Sequence, residues 1–129
     1  MKIGDDESYL MIERRDDNDP YSGFSISAHC GSGDSIFTGS NGTAHFDQSD
    51  EAKRSFLEFK TLHRNETRIN LTEGCFLALT RQSRGDIQVN FEIQRYHLQA
   101  TLRGRVLVAG EDSTAFLQEL GKMAYHSEA

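Results

Sequence analysis

The sequence predicts an α+β fold: an antiparallel sheet, curved or folded into two layers, with two covering helices. Three observations predict it. Ile87, Val89, Phe91 and Ile93 alternate with Gln88, Asn90, Glu92 and Gln94, and Leu98, Ala100, Leu102, Val106 and Val108 continue on a shifted phase. Period two over that distance means strands with one buried and one wet face. The period changes to helical spacing at Ala52, Phe56, Phe59 and His63, and again at Phe116, Leu120 and Met123.

In chain order, Tyr9 to Ile12 form an apolar patch between acidic runs, which reads as a first edge strand. Phe24, Ile26, Ala28 and Cys30 alternate with polar residues and read as a second. Gly31-Ser32-Gly33-Asp34 reads as a turn, Ile36-Phe37 as a brief strand, and Gly39-Ser40-Asn41-Gly42 as a hairpin turn returning through Thr43 to Phe46. Asn-Gly carries that expectation, because both residues accept the positive φ of a type I′ turn.

A helix is predicted over 50–63, capped by Ser49 or Asp47, with Asp50 and Glu51 at its positive end. Cys75, Leu77 and Leu79 alternate with Phe76, Ala78 and Thr80, a strand apolar on both faces and the best candidate for a central strand covered on both sides. Ser83-Arg84-Gly85-Asp86 turns the chain into the alternating run. The phase slip at 94–97 is either a hairpin turn or a bulge, and the hairpin is preferred although Arg95-Tyr96 lacks the usual turn residues. If the phase holds, Gly104 falls on the buried side, where a glycine lets another backbone approach or permits local curvature. Asp112 or Ser113 then caps a second helix containing Gly121. No internal repeat stands out at a fixed spacing.

Composition fits one domain: 129 residues, 36% hydrophobic and 26% charged. Residues 1–20 read as an acidic N-terminal segment with a possible edge strand, and 21–129 as a single α+β domain. The formal charge of −6 argues against broad nucleic-acid binding, which rewards dense Lys and Arg. No apolar run reaches the length of a signal peptide or a membrane span, so a cytoplasmic location without membrane association is expected. Cys30 and Cys75 sit in strand-like runs and read as small buried hydrophobes.

Chemistry is hard to find. Five dispersed histidines form no ligand motif with cysteine or carboxylate, and His29 and Cys30, adjacent in a strand, face opposite ways. The glycine-rich turns lack the lysine and following helix of a nucleotide cradle. No catalytic residue, metal or cofactor is therefore assigned. The surviving candidate is the polar face of the strand at 98–108, where Gln99, Thr101, Arg103 and Arg105 project together, with Arg81 and Arg84 near its rim. Guanidinium groups there suit an acidic protein patch or phosphates.

Turn-rich strands, a Phe-bearing helix, a meander containing Gly104-Arg105-Val106 and the late helix Ser113-Thr114-Ala115-Phe116-Leu117-Gln118-Glu119-Leu120 form an order of elements. That order resembles small bacterial immunity proteins of the WapI type and related uncharacterised domains, over about residues 22–124. The resemblance implies a small cytoplasmic protein that neutralises a cognate toxin, and it transfers no binding residue. The expected function is thus a non-enzymatic protein-interaction domain, with a toxin or another protein as partner. Two alternatives remain. One is a small-ligand-binding or enzymatic domain with Tyr96, His97, Arg103 and Arg105 around its mouth; the other is a homo-oligomeric structural protein pairing edge to edge.

Overall fold

The computed structural model describes residues 1–15, 18, 23–32, 35–95 and 100–125, with the backbone alone at 30–32, 35–43, 73, 95 and 100. Eight strands and two helices follow in the order β1 (Lys2–Gly4), β2 (Tyr9–Arg14), β3 (Phe24–Ser32), β4 (Ser35–Ala44), α1 (Asp50–Lys60), β5 (Glu66–Asn70), β6 (Phe76–Arg81), β7 (Ile87–Arg95), β8 (Ala100–Val108) and α2 (Ser113–Tyr125). The strands form two antiparallel meanders, β1-β2-β3-β4 and β5-β6-β7-β8. Each meander is followed by one helix, so a four-strands-then-helix unit occurs twice.

That repetition is topological, which is why the residue pattern hides it. Each unit keeps its strands and helix in the same order. The two sheets meet where Phe46 and Leu71 form an antiparallel bridge, flanked by Asp47 N–H to Asn70 O at 2.9 Å and Thr72 N–H to His45 O at 3.0 Å. Elsewhere β4 lies against β7 and β1 against β8. One apolar core results, with Ile3, Leu10, Ile12 and Ile26 from the first sheet and Ile69, Leu77, Leu79, Ile87, Val89, Phe91 and Ile93 from the second.

The acidic leader contributes more than one edge strand. Asp5 to Ser8 connect two strands, and the carboxylate of Asp5 accepts the N–H groups of Glu7 and Ser8, each at 2.8 Å. Gly4 enters this turn at φ 114°, and a Cβ there would sit 2.4 Å from the Ser8 carbonyl oxygen. Glycine is required at such a position. β1 is the edge, and β2 lies inside the sheet with Leu10 and Ile12 fully buried.

The Asn41-Gly42 hairpin does not exist. β3 and β4 pair directly from Ser32↔Ser35 back to Phe24↔Ala44, with a register shift between Phe24 and Ile26 that absorbs an extra residue of β4. A flexible dipeptide that suits a tight turn also suits a bulge, and here tertiary pairing selects the bulge.

Helix α1 starts as expected: the Ser49 hydroxyl accepts the Ala52 N–H at 3.2 Å. It stops at Lys60, earlier than the predicted 63, because Leu62 turns left-handed at φ 67°. His63 N–H then reaches Glu58 O at 2.8 Å and Leu62 N–H reaches Phe59 O at 3.3 Å, the paired bonds of a Schellman ending. Phe56 and Phe59 are buried, and Ser55 shares a 2.7 Å hydrogen bond with Thr67 of β5, which places α1 on the second sheet.

Helix α2 buries Phe116, Leu117, Leu120, Gly121 and Ala124. Ser113 does not cap it; its hydroxyl donates to Gly110 O at 2.8 Å, within a 3-10 turn over Gly110–Asp112. The Gly110 N–H instead donates to the Asp86 carboxylate at 2.6 Å. Gln48 donates to Ala124 O at 2.5 Å, and the ring of Phe56 meets Tyr125 at 5.3 Å, so the two helices share one side of the molecule.

Candidate functional site

The slip in the alternating run is a hairpin. β7 and β8 pair antiparallel from Ile87↔Val108 to Arg95↔Ala100, and the connection at 96–99 lies outside the described residues, as do Gln99, Tyr96 and His97. This register sets Glu92 opposite Arg103, Asn90 opposite Arg105 and Gln94 opposite Thr101. Thr101, Arg103 and Arg105 are exposed and share the outer face, as the strand period requires.

Arg81 belongs elsewhere. It follows Leu77 and Leu79 on the inward side of β6, where its guanidinium lies 4.7 Å from the centroid of Phe59 and donates to Phe59 O at 2.8 Å. That carbonyl belongs to the last turn of α1, where it also accepts Leu62 N–H and where the negative dipole end of the helix favours a cation. Arg81 thus terminates a helix and does not line the outer face. Arg84 is exposed in the β6-β7 turn.

What holds the outer face together is a row across all four strands of the second sheet. On β5, Arg68 lies over the ring of Phe76 at 3.9 Å and donates through Nε to Asn70 Oδ1 at 2.9 Å. Phe76 on β6 sits opposite Glu92 on β7, and Glu92 sits opposite Arg103 on β8. One oxygen of the Glu92 carboxylate accepts Arg103 Nε, and the other accepts Gln94 Nε2 at 2.6 Å. The Gln94 backbone is tied in turn to the buried thiol of Cys75, its N–H lying 3.4 Å from Sγ.

Within this row Glu92 is only 6% exposed while the Arg103 side chain is 78% exposed. The Gln94 amide, and then Arg103, hold the Glu92 carboxyl below its ordinary range against burial, which pushes the other way. The ion pair uses one edge of the Arg103 guanidinium. Its two terminal nitrogens are left for an incoming acceptor in a fixed orientation.

Sequence reasoning assigned Arg103 and Arg105 to this face but not Glu92, Arg68 or Phe76. A signal for Glu92 existed, since a hairpin closing near 95–100 forces an acid on one arm opposite an arginine on the other. A shallow hollow of about 440 Å³ lies between Phe76, Asn90, Arg103 and Arg105. Phe91 and Gly104 also line it, and because they alternate with the outer residues, the face presents their backbone there.

Among the described residues no three His, Cys, Asp or Glu side chains are grouped to hold a metal ion. His29 stacks on Tyr9 at 5.2 Å, and Lys2 lies over the same Tyr9 ring at 4.7 Å, an arrangement that uses the outer face of the first sheet for cross-strand contact. No helix among the described residues is long and apolar enough to cross a membrane. Comparison of the chain with protein-family models, with curated proteins and with solved structures gave no match.

Proposed function

We propose that this chain is a non-enzymatic protein-interaction domain whose binding surface is the outer face of the second sheet, and that its partner is a cognate bacterial toxin. The observation that carries the surface is the pairing of a buried Glu92 with a protruding Arg103. A guanidinium oriented in advance loses less freedom on binding than a mobile one. Arg105 beside it and Leu107, 55% exposed on the same strand face, add a second cation and an apolar contact. The toxin rests on the resemblance to WapI-type immunity proteins.

The test is affinity capture from the source organism with the wild-type chain and the Arg103→Glu plus Arg105→Glu variant in parallel. A single protein enriched by the first and lost from the second is the expected result, with growth rescue on co-expression where that protein is a toxin. Equal enrichment by both chains would remove the outer face from consideration.

Small-ligand binding is favoured by one specific feature, a cleft of about 620 Å³ between the first sheet and α2. Met1, Phe24 and Met123 line it together with Arg14, Glu119 and Lys122. Mutually balancing charges at its rim define no preferred ligand chemistry. Binding of a small molecule that is abolished by Phe24→Trp and unaffected at Arg103 would favour that reading over the protein interface.

A further inference from the structure

We infer that the open edge of β8 takes up an extended acidic segment of the protein partner as an added strand, its carboxylates reaching Arg103 and Arg105. This rests on the reading of the chain as a protein-binding domain and specifies how the partner engages it. β8 is an edge strand of nine residues, Ala100–Val108, bonded on one side to β7. Every second residue of such a strand directs its N–H and C=O away from its neighbour. Among the described residues, no backbone group outside β7 bonds to it.

Among the described residues, the far end of β8 approaches β1. β1 passes close to Val108, yet no ladder joins them, and a cleft of about 420 Å³ separates Lys2, Ile3 and Gly4 from Leu107, Val108 and Ala109. The stretch from Ala100 to Arg105 is the open part, about 20 Å long at the rise of a strand. That length suits a five- or six-residue partner strand, roughly the ordinary size.

Charge selects both the edge and the occupant. β8 carries two arginines and no acid, whereas β4 has no ionisable side chain, β1 has one lysine and β5 balances Glu66 against Arg68. An added strand places its residues directly opposite those of β8, with Cβ atoms about 5 Å apart. Alternate acidic residues would then face Arg103 and Arg105, and the terminal nitrogens of Arg103 would donate to a carboxylate without releasing Glu92. A second copy of this chain fits poorly. Antiparallel self-pairing about Gly104 sets Arg103 opposite Arg105 of the other copy, twice, and like charges directly opposed are destabilising.

The experiment uses the full chain and three blocked peptides of about ten residues, a length that covers the open edge. The first alternates Glu with Thr and Val, the second replaces every Glu by Gln, and the third is the Glu peptide N-methylated at alternate amides. Binding is read by NMR titration, and edge pairing by amide hydrogen exchange.

The Glu peptide should bind and slow exchange of the outward amides between Ala100 and Arg105. The Gln peptide should bind about tenfold more weakly, as for loss of charge-assisted contacts, and the N-methylated peptide should not bind. Arg103→Gln plus Arg105→Gln, with an unchanged circular dichroism spectrum, should weaken the Glu peptide by a similar factor.

Shifts on the outer face without slowed exchange in β8 would overturn strand addition while leaving the face as an interface. Capture of a partner that is lost on charge reversal, with no Glu-peptide binding at millimolar concentration, would do the same. Concentration-dependent protection of β8 in the chain alone, with dimers in sedimentation, would overturn the acidic occupant in favour of a second copy. A partner captured equally by wild type and charge-reversed chain refutes the parent reading instead.

Discussion

Replacing Phe91 by Ala tests the core and the reason for Gly104 together. The register places Leu77, Phe91 and Gly104 side by side on the inward faces of β6, β7 and β8, and Phe91 is 2% exposed. Gly104 brings no side chain to that layer, and the ring of Phe91, its cross-strand neighbour, is expected to fill the space left at 104. Deleting a buried Phe costs about 3–5 kcal/mol through lost transfer energy and the cavity left behind. The upper half of that range is expected, because the neighbour at 104 has no atoms with which to collapse into the hole.

The companion change separates packing from strand propensity. Gly104→Ala alone should destabilise by about 1 kcal/mol, since the methyl meets the Phe91 ring. In the Phe91→Ala background it should stabilise by about 0.5–1 kcal/mol, through filled space and reduced freedom of the unfolded chain. The coupling between the two sites would then be about 1.5–2 kcal/mol. Urea unfolding followed by far-UV circular dichroism measures all four corners of this cycle. Additivity within about 0.3 kcal/mol would refute the claim that the ring occupies the glycine's place.

Leu62→Gly should stabilise the domain by about 0.5–1 kcal/mol, because Leu62 holds a left-handed conformation at the helix end that glycine adopts without strain; thermal midpoints check it. Arg81→Ala should cost about 2 kcal/mol in urea unfolding, by removing a bond to the α1 terminus and the guanidinium lying over the Phe59 ring, and should leave partner affinity unchanged. Glu92 has a carboxyl lowered in the folded state from an ordinary 4.5, so it stabilises the fold above that value and ceases to as pH falls through the lowered one. Glu92→Gln should accordingly flatten the acid limb of the stability curve below about pH 4.5, and urea midpoints falling in parallel for both chains would contradict this.

Much of the fold was legible because most elements obey one period for long enough. The stretch 87–94 alternates without interruption, 76–79 is a short continuous apolar run, and Phe56, Phe59, Phe116 and Leu120 fall on helical stripes. β1 was not legible, since three residues carry no period; the Tyr9–Ile12 patch instead read as the edge that β1 occupies. β4 misled because its glycines and Asn41 have turn chemistry that long-range pairing with β3 overrides. β6 is interior to its sheet as expected, but only one of its faces is buried. Phe76 is half-buried on the other, where the Arg68 guanidinium covers it.

The candidate site was half legible for a related reason. Alternation decides which face a residue occupies, so Thr101, Arg103 and Arg105 follow from Leu102, Val106 and Val108. The same rule, applied to Leu77 and Leu79, puts Arg81 inward; its charge suggested the surface, and the Phe59 carbonyl at the negative end of α1 supplies the reason a cation is tolerated inside. Glu92 required the register, which depends on the exact closure of the hairpin and is not a property of either strand alone.

The two units share a topology and diverge on their outer faces, and that divergence bears on where a partner would bind. On the first sheet the cation of Lys2 is engaged by Asp6 at 2.7 Å and by the ring of Tyr9, which stacks on His29. Those groups satisfy one another. On the second sheet the carboxylate of Glu92 is sunk and its arginine projects, with Arg105 one pleat further along the strand. A chain of net charge −6 would repel an acidic partner at long range, but at physiological salt the screening length is about 8 Å. β8 itself carries Arg103, paired with Glu92, and Arg105, and no acid. The local arrangement of charge, held by sheet register, therefore decides which partner chemistry this face favours.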